Sequence, residues 1–146
     1  MRRPMVLLTL LAGISFAAYG SKQESLEQLI ARAPSARAEE QPHLYIEIAR
    51  KELDAADKSY KVGQNDAARK SVDEVVSYSS KASDAASHTG KKLKDTEIAL
   101  RKMAGKLRDL KRGLPFEDQG PVQAAADRLE QMRTQLLGQM FGKKEK

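Results

Sequence analysis

A chain of 146 residues with 40% hydrophobic and 32% charged side chains suits one globular domain. The lack of any cysteine excludes a disulfide framework and a lipoprotein attachment site, so the fold must stand on packing alone. A net charge of +6 favours acidic partners, while an aromatic share of only 5% argues against nucleic acid held by base stacking.

The chain opens with Arg2 and Arg3 ahead of an apolar run at residues 5–18, and Ala18-Tyr19-Gly20 offers the small residues of a signal-peptidase site. Residues 1–20 are therefore expected to be a signal peptide, with the mature chain starting at Ser21; Ser15-Phe16-Ala17 offers a second cleavage point. A retained membrane anchor is the less favoured alternative. Gly13 and Ser15 interrupt the run, and a spanning helix needs about 20 apolar residues. Pro4, directly after the two arginines, points to general secretion rather than twin-arginine export. The expected location is periplasmic or extracellular. Losing Arg2 and Arg3 with the leader lowers the net charge from +6 to +4.

Residues 21–41 read as a short amphipathic segment and linker. Leu26, Leu29, Ile30 and Ala33 share one side, Pro34 ends the pattern, and residues 34–41 look flexible. A helical bundle domain is expected over residues 42–142. Pro42 suits the first turn of a helix and Gly63 its C-terminal cap, which predicts a helix over 42–62. Asn65 is placed to cap a second helix that runs to Gly90. A third begins near Lys91 and stops at Gly113; after a link at 113–120, a fourth starts at Pro121 and ends near Gly142. Residues 143–146 form a charged tail.

Steps of three and four put apolar or small residues on one stripe of each long helix. The stripes are Ile46, Ala49, Leu53, Ala56 and Tyr60; Ala68, Val72, Val75, Ser79, Ala82 and Ala86; Leu93, Thr96, Leu100, Met103, Leu107 and Leu110; and Val122, Ala125, Leu129, Met132 and Leu136. Short links between such helices predict an all-α fold, an antiparallel helical bundle of about four helices following the signal peptide. A coiled coil between chains is the alternative.

Ala56, Tyr60, Gly63 and Ala68, in the run Ala56-Asp57-Lys58-Ser59-Tyr60-Lys61-Val62-Gly63 and just beyond it, occur in the order and spacing of a repeat's central part. Over about residues 49–82 the chain resembles a tetratricopeptide repeat, with Val72 and Val75 in place of the usual aromatic and alanine and without the closing proline. The resemblance implies a repeat-like helical hairpin, with Tyr60 and Gly63 as candidate partner-binding residues.

No residue set reads as catalytic. His43 and His88 belong to no constellation of metal ligands, and the serines at 77, 79, 80, 83 and 87 lack a histidine base. No catalytic residue, cofactor or metal is expected. The densest charge lies between residues 91 and 112. There Lys94, Arg101, Lys102, Arg108, Lys111 and Arg112 are candidates for contact with an anionic surface, and Lys94, Arg101 and Arg108 recur every seven residues opposite the leucine stripe. The expected function is protein binding or scaffolding in the cell envelope, with an anionic lipid or envelope polymer as the alternative ligand of the basic helix.

Overall fold

The computed structural model describes residues 23–142. The predicted signal peptide and the charged tail at 143–146 lie outside the described residues. Among those residues there are five α-helices and no strand: α1 (Leu26–Arg32), α2 (Gln41–Lys61), α3 (Asn65–Thr89), α4 (Leu93–Arg112) and α5 (Phe116–Phe141), with a 3-10 turn at Ala33–Ser35. The all-helical class stands, and the short amphipathic segment adds α1 to the four long helices.

Three boundaries have a plain local cause. At α1, Ser25 Oγ accepts from the Gln28 backbone N–H while the Gln28 side chain accepts from the Ser25 backbone N–H, a reciprocal capping box. At the end of α2, Gly63 adopts φ +76°; its N–H donates to the Tyr60 carbonyl, and the Gln64 N–H reaches the Ser59 carbonyl. These two bonds satisfy carbonyls that the helix leaves open, and only a residue without Cβ takes that backbone cheaply. Gly90 ends α3 in the same left-handed region, at φ +68°.

Three boundaries differ from the sequence expectation. Asn65 is the first residue of α3 rather than its cap, and its side chain is drawn away to Asp118. Helix α4 begins at Leu93, after Lys92 turns the chain at φ +62°. Helix α5 begins at Phe116 and carries Pro121 within its second turn. Proline there forfeits one backbone hydrogen bond. Gly120 before it has no Cβ to clash with the proline ring, and Gln119 Nε2 donates to the Leu114 carbonyl at 2.9 Å. Asp118, captured from α3, fixes this early turn in place.

Helices α2 and α3 form one hairpin and α4 and α5 another. Within the second, Lys111 donates to Gln123, Arg108 pairs with Glu130 and Arg133 pairs with Glu97, so the two helices run antiparallel. The hairpins stack in the same direction. The start of α3 meets the start of α5 through Asn65, Arg69 and Asp118, and Gln139 near the end of α5 donates to the Ser87 carbonyl near the end of α3. Pro42 and Ile46 of α2 likewise lie beside Thr96 and Ala99 of α4, with Leu53 beside Leu110 further along.

The four stripes meet in one core. Leu100, Leu107, Leu129 and Leu136 have no exposed surface, and Ala49, Ala56, Ala68, Ala82 and Ser79 are fully buried. Burying each leucine contributes about 1.5–3 kcal/mol and an alanine far less, so α4 and α5 supply the larger share per residue. A second cluster joins Leu29 and Ala33 of the N-terminal segment to Leu44 and Ile48, on a different side of α2 from the main stripe. Residues 34–41 form a series of turns, in which Gln41 Nε2 donates to the Pro34 carbonyl and the Glu40 N–H to the Arg37 carbonyl. Ile30, expected beside Leu29, is at the exposed edge of that contact.

Candidate partner-binding surface

The charges divide into those bound within the molecule and those left outward. The largest internal group joins α4 to α5. Arg133 Nε donates to Glu97 at 2.6 Å, Arg133 Nη1 meets Glu130 at 3.2 Å, and Arg108 Nη2 reaches the other oxygen of Glu130 at 3.2 Å. Glu97 is buried, and its hydrogen bond and that of Glu130 hold the Arg133 guanidinium above its ordinary pKa. This chain of charges covers the side of the second hairpin.

Arg108 therefore leaves the predicted basic row: its charge is spent on Glu130. Lys111 is half-buried and donates to Gln123 at 2.8 Å, and Arg112 pairs with Asp109 at 3.0 Å. Lys91 pairs with Glu39, and Lys92 stands 4.0 Å from Asp95. Lys94, Arg101 and Lys102, with Lys106, are exposed and make no ion pair among the described residues.

At about 100° per residue, Lys94, Ile98, Arg101, Lys102, Gly105 and Asp109 share the side of α4 that faces away from Leu100, Met103 and Leu107, with Asp95 and Lys106 toward its edge. Ile98 is half-buried. Gly105 sits among the cations, and a Cβ added to it would meet nothing within 4 Å. The outward face of α4 thus carries half-buried Gly105 beside the unpaired cations Lys94, Arg101 and Lys102, with Asp109 paired to Arg112 on the same face and Lys106 at its edge beside Asp54 and Asp57 of α2. Reading the sequence in heptads passed over Gly105; a helical wheel centred opposite the leucines, with attention to glycine in mid-helix, would have found it.

The hairpin residues fare differently. Tyr60 packs against the core, and its hydroxyl is buried without a hydrogen-bond partner. Burial raises its pKa, and the nearby Asp118 carboxylate adds to that rise. The Tyr60 hydroxyl is therefore not presented to a partner, and Gly63 is exposed at the turn it permits. His43 lies 3.3 Å from Glu47, and His88 is exposed. Among the described residues no three histidine, aspartate or glutamate side chains gather to hold a metal ion, and no helix is long and apolar enough to cross a membrane.

No protein family, curated protein or solved structure matches the chain.

Proposed function

We propose that this protein is an exported, non-catalytic helical scaffold that binds an acidic partner protein in or beyond the cell envelope through the outward face of α4. The observation that carries the reading is the set Lys94, Arg101, Lys102 and Lys106, exposed and unpaired among the described residues while most neighbouring charges are engaged. Solvated cations concentrated on one face draw in an acidic surface and set its orientation. Export rests on Arg2, Arg3 and the apolar run that follows them. The reading also treats α2–α3 as a repeat-like hairpin, on the order and spacing of Ala56, Tyr60, Gly63 and Ala68.

An anionic lipid or envelope polymer would use the same cations. Interfacial binding also wants apolar side chains beside the charge. The most exposed aromatic residues, Phe116 at 88% and Phe141 at 70%, lie at the two ends of α5 instead of on this face. A protein partner therefore fits better.

A photo-crosslinking residue placed at Lys102 in the producing cell tests the proposal, with the same residue at Asp73 on α3 as the control. An acidic protein joined from position 102, not from 73, and lost as salt is raised, is the expected result. Adducts confined to lipid or polymer, or equal capture from both positions, would contradict it.

A further inference from the structure

Resting on the α4 reading just given, we infer that the partner element is an acidic α-helix that crosses α4 at Gly105. Glycine in the middle of an exposed helix lowers helix stability relative to alanine, and here the fold gives it no packing role. The volume a Cβ would occupy is empty. The other helical glycines have local reasons: Gly120 precedes Pro121, and Gly138 lies in the last turn of α5. Gly105 has neither excuse, being in mid-helix with Arg101 and Lys102 on the turn before it.

What a missing side chain allows is close approach. The distance between two packed helices is set by the side chains at their crossing, so a partner helix could rest directly on the α4 backbone at this point. Its carboxylates would then meet Arg101 and Lys102 one turn before the crossing, while Asp109, one turn beyond it, is already paired with Arg112. An extended acidic chain would reach the same cations by bridging over the notch, with no use for the glycine. A membrane, being broad and flat, would gain nothing from a gap one residue wide.

The test uses the full chain and three probes: an alanine-rich helical peptide with one stripe of glutamates, the same composition broken by prolines, and vesicles containing phosphatidylglycerol. Binding is measured for wild type, Gly105→Ala, Gly105→Leu and a variant with Lys94, Arg101, Lys102 and Lys106 all changed to Gln. Thermal unfolding is recorded for each. The inference expects the helical peptide to be preferred, its binding to fall roughly ten-fold or more in Gly105→Leu, and the proline-broken peptide to be indifferent to that change. Gly105→Ala should unfold at a higher temperature than wild type yet bind the helical peptide less well. If Gly105→Leu binds as wild type while the four-glutamine variant does not, the crossing helix is refuted and the basic-face reading survives. If the four-glutamine variant also binds as wild type, both fall. A preference for vesicles unaffected at Gly105 would overturn the helical partner in favour of lipid.

Discussion

Asp118 in the first turn of α5 accepts a 2.6 Å hydrogen bond from Arg69 in the first turns of α3, with Asn65 adding a second at 3.1 Å. The carboxylate is only 4% exposed, whereas Arg69 is 46% exposed, so the pair is buried on one side alone. The bond holds the guanidinium above its ordinary pKa and ties the start of one hairpin to the start of the other. Arg69→Ala should cost about 1–3 kcal/mol, because it strands a buried charge with Asn65 as its remaining side-chain partner. Asp118→Asn keeps a hydrogen-bonding group without the charge and should cost less. Urea unfolding that ranks the two in the opposite order would show that the contact is incidental.

The Tyr60 hydroxyl is the reverse case, a buried polar atom with no bond to lose. Tyr60→Phe removes only that atom and should leave stability unchanged or raise it by about 1 kcal/mol. Tyr60→Ala, which also removes the ring from the core, should destabilise. A clear loss in Tyr60→Phe, read by thermal unfolding, would mean that the hydroxyl has a partner in solution.

Glu52 is buried between α2 and α3, and that burial raises its pKa above the ordinary 4.5; Glu74 adds to the rise, while Ser71 and Lys70 oppose it. The folded state therefore holds this proton to higher pH than the unfolded chain does. Stability linked to Glu52 is intact below the ordinary value, and it declines as pH rises from there through the raised value. Glu52→Gln should remove that decline and stabilise the protein at neutral pH. The midpoint of urea unfolding measured across pH 4 to 7 checks the sign, and a variant with an unchanged slope would disprove it.

Leu107 and Lys94 lie on opposite sides of α4. Leu107 has no exposed surface, so Leu107→Ala should cost about 2–5 kcal/mol. Lys94 is exposed and unpaired among the described residues, so Lys94→Ala should fall within about 0.5 kcal/mol of wild type. Equal losses in thermal unfolding would overturn the orientation of α4 and, with it, the binding face.

The repeating stripes made most of the core legible, because spacing of three and four leaves little choice of which side faces inward. Leu107 and Val75 could be placed from that rule alone. The second side of α2 could not. Leu44 and Ile48 stand outside the main stripe, and their partners Leu29 and Ala33 come from the far side of Pro34. Pro121 misled in another way. Its cost is one hydrogen bond, set against the bonds of Asp118 to Asn65 and Arg69, and no local pattern reports a bond to residues some fifty positions away. The basic helix was visible as net charge, but which cations remain free depends on where α5 places Glu130 and Gln123.

The face that remains after this pairing is the centre of the functional account, and the backbone amide of Gly105 reports on it most directly. In a nitrogen–proton correlation spectrum of the full chain, titrated with the glutamate-striped helical peptide, the largest shifts should centre on Gly105 and include Ile98, Arg101, Lys102 and Lys106. They should fade as added salt shortens the screening length from about 10 Å at 0.1 M to about 3 Å at 1 M. Shifts that gather instead around Phe116, Phe141 or the Gly63 turn, or that persist in high salt, would contradict the account.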